Sequence, residues 1–198
     1  MQFVCVSDIF GKTRELESLA TQISPDAHIV DPYDAQDMTF SCEREAYQYF
    51  SQHIGLATFT TVLKEKLKTF NSETLLIGFS AGASAIWNVS GNRDLLNISR
   101  AVCYYGSQIR NNTEVTPRFP VELVFPKMED HFLIGDLIAK LSDTQNTSIR
   151  QVSYLHGFMN ACSANFNARG YNSELMALKQ IVASQQMIKS GIAESHAN

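Results

Sequence analysis

Residues 74–84 have the sequence TLLIGFSAGAS. The apolar and β-branched run Thr74–Phe79 predicts a buried strand, and the small residues that follow predict a helix over Ala83–Val89. The motif GFSAG (residues 78–82) lies at the junction, where a tight bend would expose a serine hydroxyl and where a Cβ at either glycine would clash. We therefore predict that Ser80 is a nucleophile. A glycine-rich turn with a capping serine is the alternative interpretation.

In the rest of the chain, short predicted strands alternate with longer stretches in which apolar residues recur with the period of a helix. Five further strands are predicted: Gln2–Ser7, His28–Asp31, Arg100–Tyr105, Val121–Phe125 and Arg150–Tyr154. Five further helices are predicted: Thr13–Gln22, Glu43–His53, Ala57–Phe70, Phe132–Leu141 and Tyr171–Ile188. This alternation predicts an α/β fold with a doubly wound, mostly parallel sheet of about six strands and helices on both faces. We expect one domain over residues 1–198, with a frayed tail after about residue 190.

Composition excludes several classes of function. With 44% hydrophobic and 18% charged residues, the chain is typical of a soluble globular protein. The net charge of −4 and the lack of a basic cluster argue against a nucleic-acid partner, and no apolar run is long enough for a membrane span. The N-terminal residues predict a strand and not a signal peptide. The four scattered cysteines show no metal-ligand spacing and favour reduced thiols, so we expect a cytoplasmic protein without metal or organic cofactor.

Polar side chains follow two of the predicted strands downstream of Ser80. After the fifth strand come three candidates: Glu129, Asp130 and His131. His156 follows the sixth strand, in the segment YLHGF (residues 154–158). A serine needs a base to take its proton, and in one large group of α/β enzymes the order along the chain is Ser, then Asp or Glu, then His. We therefore predict that His156 is the base and that Asp130 orients it.

Each of these residues can also be explained by a structural role without any part in catalysis. The acidic segment after the fifth strand could be a polar loop that caps the next helix, with Asp130 as the N-cap. His156 could be a loop histidine bonded to backbone, and His131 is the rival base.

Acyl transfer also needs two N–H donors for an oxyanion, and we predict the backbone N–H groups of Ile9 and Ala81 for this role.

Several separated segments together resemble the dienelactone hydrolases of the α/β-hydrolase superfamily. They are DIFG (residues 8–11), GFSAG, AVCYYGS (residues 101–107), EDHF (residues 129–132) and YLHGF. The resemblance spans nearly the whole chain and implies that fold. It also implies an oxyanion N–H at Ile9, a nucleophile at Ser80, an acid at Asp130 and a base at His156.

The chain departs from the family pattern in three ways. Founding members have a cysteine at the elbow, where this chain has Ser80, and this chain starts directly at the DIFG strand without the superfamily's early antiparallel strands. The family's lactonases hold a substrate carboxylate with arginines. Here Asn160 stands four residues after His156, and Arg44 is the candidate for a second position, so dienelactone itself is not the expected substrate.

A serine hydrolase that cleaves a small carboxylic ester or lactone is the preferred function. The candidate pocket residues are Asp8, Arg44, Tyr47, Tyr105 and Phe158, with Phe166 as a further aromatic; aromatic residues in such numbers are also expected in a core. The alternative is a non-catalytic module on the same fold that binds a small ligand or has a regulatory role. A thiol enzyme that uses Cys103 or Cys162 is a third interpretation.

Overall fold

The computed structural model describes the backbone of residues 1–195 and the side chains of residues 1–184. Its centre is a six-stranded sheet: β1 Gln2–Val6, β2 His28–Val30, β3 Thr74–Phe79, β4 Ile98–Tyr104, β5 Val121–Phe125 and β6 Thr147–Gln151. The strand order is β2-β1-β3-β4-β5-β6, and every neighbouring pair is parallel. The predicted parallel α/β sheet is therefore confirmed, and the carboxyl ends of all its strands, where the candidate side chains lie, are at one edge.

Helices cover both faces of this sheet, as predicted. They are α1 Arg14–Ile23, α2 Glu43–Tyr49, α3 Gly55–Leu67, α4 Ala81–Ser90, α5 Ile134–Leu141 and α6 Ala168–Ser195. Buried side chains of α1 and α6 pack on one face, and those of α3, α4 and α5 pack on the other. None of the helices within residues 1–195 is both long enough and apolar enough to cross a membrane.

Most element boundaries differ from the predictions by one to three residues, and three elements differ in a way that has a structural reason or lies at the chain end. The helix predicted over Glu43–His53 changes after Tyr49 into a π-helical turn, Phe50–Ile54. β6 lies three residues earlier than predicted, because its pairing with β5 and not its own half-exposed, polar sequence sets its position. α6 is longer than predicted at both ends, and residues 196–198 of the expected tail lie outside the described residues.

A charged cluster fixes β6, the strand that precedes the predicted base. Arg150 on β6 donates from Nε to Glu122 Oε1 at 2.8 Å and from Nη1 to Glu174 Oε1 at 2.8 Å. Glu122 lies on β5 and Glu174 on α6, and Glu174 also accepts from the buried Tyr104 hydroxyl at 2.9 Å. Since these carboxylates are largely buried and each is paired, the cluster ties β6 to both its neighbours and so fixes the start of the loop after it.

The first turn of α4 lies directly against the end of β1. A Cβ at Gly82 would lie 2.3 Å from the Ser7 carbonyl oxygen and 2.5 Å from that of Val6. These are backbone atoms, so the contact cannot be relieved by a change of rotamer. The absence of a side chain at position 82 therefore brings the Ser80 bend next to the loop that follows β1.

Gly82→Ala is expected to lower the free energy of unfolding by about 2–3 kcal/mol, because the added methyl group forces two backbone segments apart. Urea denaturation followed by circular dichroism measures the change. The matched control is Gly135→Ala in α5, where nothing lies within 4 Å of the added Cβ. There, alanine is expected to raise stability by about 0.5–1 kcal/mol. Equal stability of the two variants would contradict the close approach.

Candidate active site

Ser80 lies on a strained bend between β3 and α4. Its backbone has φ 49° and ψ −109°, a conformation that a residue with a side chain rarely adopts. Two hydrogen bonds hold it: Ser80 N donates to Tyr104 O at 2.9 Å, and Ser84 N donates to Ser80 O at 3.0 Å. A Cβ at Gly78 would lie 2.8 Å from the Ala83 backbone nitrogen, so the first glycine of the motif is needed as well as the second. The bend predicted from GFSAG is present.

A line of hydrogen bonds joins Ser80 to the loop after β6. The distance between Ser80 Oγ and His156 Nε2 is 2.9 Å, and that between His156 Nδ1 and Glu129 Oε1 is 2.7 Å. A carboxylate only accepts, so Nδ1 carries the proton and Nε2 is free to accept from the serine hydroxyl. The arrangement can take a proton from Ser80 and stabilise the resulting imidazolium.

The acidic partner of His156 corrects the sequence prediction. Asp130 was expected in this position, but its side chain is exposed, and Glu129 makes the contact. Adjacent side chains project in different directions from the backbone, and of the two it is Glu129 that faces His156. Asp130 does not cap α5 either, since the N-cap is Leu133. The rival base, His131, is exposed.

The loop that carries His156 is shaped by the residues that follow it. Gly157 has φ +84°, and a Cβ there would lie 2.4 Å from Ser163 Oγ. Asn165 donates from Nδ2 to the His156 carbonyl at 3.0 Å, and the ring of Tyr105 packs against the imidazole with 4.9 Å between centroids. The loop backbone is therefore fixed at His156, and the imidazole packs on Tyr105 while its two nitrogens contact Ser80 and Glu129.

Two backbone N–H groups were predicted to bind an oxyanion. Ala81 is the first residue of α4, so its N–H has no partner within its own helix. The Asp8 carbonyl accepts hydrogen bonds from Ser7 Oγ at 3.0 Å and from Gly11 N at 3.2 Å. The Ile9 N–H belongs to the same trans peptide, so it points away from these two donors. Ala81 precedes Gly82 and Ile9 follows β1, and Gly82 lies against the end of β1, so the two N–H groups belong to neighbouring segments. That they bind an oxyanion remains a proposal.

A buried tyrosine that the sequence analysis missed fixes the loop of Ile9. The Tyr33 hydroxyl donates to the Ile9 carbonyl at 2.7 Å, and Tyr33 is 7% exposed. Gly11 has φ +78°, and a Cβ there would lie 2.6 Å from the Tyr33 ring. No sequence signal links residue 33 to this loop, because the contact spans two parallel strands.

Asp8 does not contact Ser80 in this structure. Its Oδ1 accepts from Phe10 N at 2.9 Å, and its Oδ2 accepts from Asn160 Nδ2 at 2.6 Å. Burial raises the pKa of this carboxyl to about 6, more than the hydrogen bonds from Phe10 and Asn160 lower it. Asp8 thus joins the loop after β1 to the loop after β6, close to His156.

Asp8→Asn is expected to change how stability depends on pH. Because the pKa of Asp8 is about 6 when folded and lower when unfolded, its contribution is full below about pH 4 and is lost as pH rises through 6. Relative to the variant, the wild type should lose about 2 kcal/mol between pH 4 and pH 7. Urea denaturation over this range measures the difference. A constant difference across the range would contradict the prediction.

The other predicted pocket residues lie in different environments. Arg44 and Tyr47 are exposed on α2, and Tyr47 has 56% of its surface exposed. Phe158 is fully buried and packs between the rings of Tyr104, Tyr105 and Tyr154, so it belongs to the core. Of this set, Asp8 and Tyr105 line a cavity.

That cavity has a volume of about 400 Å³ and lies between α1 and the loop after β6. Its apolar wall consists of Leu16, Leu19, Phe79, Met159, Phe166 and Tyr171. Ser80 and His156 do not line it, but Phe79 precedes Ser80 and Tyr105 touches the His156 ring. The sequence analysis missed the contribution of α1, because no motif marks a helix that faces a cavity.

Cys103 and Cys162, the two cysteines considered for thiol chemistry, are poorly suited to it. Burial raises the pKa of the Cys103 thiol, and Cys162 has a pKa raised to about 11, first by burial and then by its hydrogen bond to Glu15. A raised pKa leaves less of the thiolate, which is the reactive form. Neither residue lies at a strand-to-helix bend.

Comparison with known proteins found a relative by sequence and solved structures with a similar fold. No family model matches the chain. A protein of Bacillus subtilis (strain 168), named "Uncharacterized protein YczH", is 36% identical over 144 residues, which are 71% of this chain and 70% of that protein.

Two solved structures resemble the fold. One is from Klebsiella pneumoniae subsp. pneumoniae and is proposed to be a dienelactone hydrolase: the TM-score is 0.70 at 13% identity, over 90% of this chain and 85% of the other. The second is the dienelactone hydrolase of Anabaena variabilis, with a TM-score of 0.62 at 14% identity, over 94% of this chain and 86% of the other. At these identities the likeness concerns the fold.

Proposed function

Because the chain belongs to the family of the Bacillus subtilis protein YczH and has the α/β-hydrolase fold seen in dienelactone hydrolases, we propose that it is a serine hydrolase of small carboxylic esters or lactones. The observation that supports this most is the hydrogen-bonded line from Ser80 through His156 to Glu129. A serine needs such a base to become a nucleophile, and a structural serine does not.

In the proposed reaction, Ser80 Oγ attacks the carbonyl carbon of the ester while its proton passes to His156 Nε2. Glu129 accepts from Nδ1–H and stabilises the imidazolium. The N–H groups of Ile9 and Ala81 are the proposed donors to the oxyanion. When the intermediate collapses, the alcohol leaves with the proton from His156.

Water then completes the cycle. His156 takes a proton from the water molecule, whose oxygen attacks the acyl carbon, and returns a proton to Ser80 Oγ as the acid leaves. Every step uses the same two hydrogen bonds, so the side chains need not rearrange between acylation and hydrolysis.

Covalent labelling tests the nucleophile directly. A fluorophosphonate probe should add one phosphonyl group to the wild-type protein, and mass spectrometry of the digest should locate it on the peptide that contains Ser80. Ser80→Ala should not be labelled, whereas Ser153→Ala, which removes an exposed serine in the loop after β6, should be labelled like the wild type. Labelling of Ser80→Ala at the wild-type rate would refute the assignment.

The alternative function is a non-catalytic module that binds a small ligand. It predicts a ligand-induced rise in melting temperature without turnover of p-nitrophenyl acetate, and His156→Ala would leave that rise intact. The 2.9 Å contact between Ser80 and His156 favours the hydrolase, because binding alone does not require a serine and an imidazole in contact.

A further inference from the structure

A hydrogen bond between two side chains joins the loop of the proposed oxyanion donor Ile9 to the loop of the proposed base His156. Asn160 Nδ2, in the loop after β6, donates to Asp8 Oδ2, in the loop after β1, at 2.6 Å. The two residues are 152 positions apart in the chain. Among the residues that the structure describes, neither side chain is hydrogen-bonded to Ser80 or to His156, so any part they have in the reaction is indirect.

The Asp8 end of this bond shapes the backbone around Ile9. Asp8 Oδ1 accepts from Phe10 N at 2.9 Å, and the Asp8 carbonyl accepts from Gly11 N at 3.2 Å. These two bonds fold the chain back on itself at Ile9, whose own carbonyl accepts from the Tyr33 hydroxyl. The Asp8 carboxylate therefore helps to set the direction of the peptide that carries the proposed oxyanion donor.

The Asn160 end belongs to a turn that follows His156 directly. Asn160 N donates to Gly157 O at 2.9 Å, and Asn160 Oδ1 accepts from Cys162 N at 2.8 Å. The orientation of the amide follows from its partners, because a backbone N–H only donates and an ionised carboxylate only accepts. Gly157 is the neighbour of His156 in the chain, so a shift of this turn moves the backbone that carries the imidazole.

The loop after β6 has a second, weaker contact with this side of the site. Cys162 Sγ donates to Glu15 Oε2 of α1 at 3.4 Å, and both residues are exposed. A thiol is a weak donor, whereas the bond from Asn160 to Asp8 is charge-assisted once Asp8 is ionised. The bond between Asp8 and Asn160 is therefore the stronger of the two contacts.

We propose that Asp8 and Asn160 are positioning residues for the hydrolase reaction, an inference that rests on the proposed function. Their hydrogen bond keeps the N–H of Ile9 and the imidazole of His156 in fixed positions relative to each other. Both groups must meet the same transition state at Ser80, and a misplacement of about 1 Å costs up to about 100-fold in rate.

A direct effect of charge is the alternative explanation for any loss of activity in an Asp8 variant. Burial and the two hydrogen bonds have the largest effects on the pKa of Asp8; beyond these, the charge of the His156 imidazolium lowers it and that of Glu43 raises it. An ionised Asp8 therefore also favours the imidazolium. Asn160→Ala separates the two roles, because it removes the bond to Asp8 and leaves the Asp8 charge in place.

Two single variants test the link with p-nitrophenyl acetate. Asn160→Ala removes the donor, and in Asp8→Asn one amide oxygen must serve both the Phe10 N–H and the Asn160 amide. Each should lower kcat by about 10–100-fold. KM should change by less than about threefold, since the link acts on transition-state geometry and not on ground-state binding. Cys162→Ala, which removes the weaker contact, is the matched control and should keep kcat within about twofold of the wild type.

Exchange of the two side chains should restore the link. When Asp8→Asn is combined with Asn160→Asp, the amide at position 8 donates to the carboxylate at position 160. The amide oxygen still accepts from Phe10 N, and the second carboxylate oxygen still accepts from Cys162 N. All three bonds can form, so kcat should be at least about fivefold higher than in Asp8→Asn alone, the gain expected from one recovered hydrogen bond.

The measurements separate positioning from a merely structural role. Active sites are counted by complete reaction with a fluorophosphonate, and folding is followed by urea denaturation. A pair that only stabilises the fold would lower the free energy of unfolding and the number of labelled sites, but kcat per labelled site would stay at the wild-type value. Each single variant decides this by itself if the other fails to fold.

Three outcomes overturn the inference: wild-type kcat in both single variants, a loss in Asp8→Asn without a loss in Asn160→Ala, or an exchange variant no faster than Asp8→Asn. With any of these, turnover by the wild type that is lost in Ser80→Ala would leave the proposed function standing. Absence of such Ser80-dependent turnover would instead refute the hydrolase, and with it the role of Asp8 and Asn160 in the reaction.

Discussion

Replacing Ser80 by alanine is expected to lower kcat/KM for p-nitrophenyl acetate by about 10⁵-fold, close to the loss seen when a catalytic serine is removed from other enzymes of this chemistry. The variant retains the predicted oxyanion donors but has no atom to attack the carbonyl. The residual rate should resemble that of the uncatalysed reaction enhanced by binding alone.

The effect should lie in catalysis and not in folding. Ser80 Oγ makes one partly buried hydrogen bond, to His156, and alanine has the same Cβ on the same strained backbone. The free energy of unfolding should therefore change by no more than about 1 kcal/mol, measured by urea denaturation. Activity within tenfold of the wild type would refute the role of Ser80, whereas loss of activity with loss of fold would appear in the denaturation curve.

Glu129→Gln is expected to lower kcat for the same ester by about 10³–10⁴-fold with little change in KM. The glutamine amide can donate to His156 Nδ1, which favours the tautomer with the proton on Nε2. That nitrogen then cannot accept from Ser80 Oγ. The missing carboxylate also leaves the imidazolium without its stabilising charge.

The neighbouring carboxylate provides the control for this prediction. Asp130→Asn changes the same kind of group one residue away, but Asp130 is exposed, so activity should stay within about twofold of the wild type. Glu129→Asp keeps the charge at a shorter reach and should retain more activity than Glu129→Gln. If Asp130→Asn were the inactive variant, the acid would be the residue that the sequence first indicated.

The sequence was most informative about features that depend on residues close together in the chain. GFSAG predicts its own bend, because two close approaches within a few residues exclude any Cβ, and the structure has these contacts at Gly78 and Gly82. Likewise the continuous apolar run Thr74–Phe79 could be placed to the residue, since every one of its side chains is buried. The half-exposed strand β6 was misplaced, because pairing with β5 decides its position and leaves little hydropathy signal.

The sequence by itself determined the parallel α/β sheet, the bend at Ser80 and the order of serine, acid and histidine along the chain, because these follow from burial patterns and short-range sterics. Only the tertiary structure decided between Glu129 and Asp130, which are adjacent and chemically alike. It alone also revealed the cavity between α1 and the loop after β6. The physical reason is that both depend on where segments far apart in the chain meet, and packing sets those distances, which local propensity does not encode.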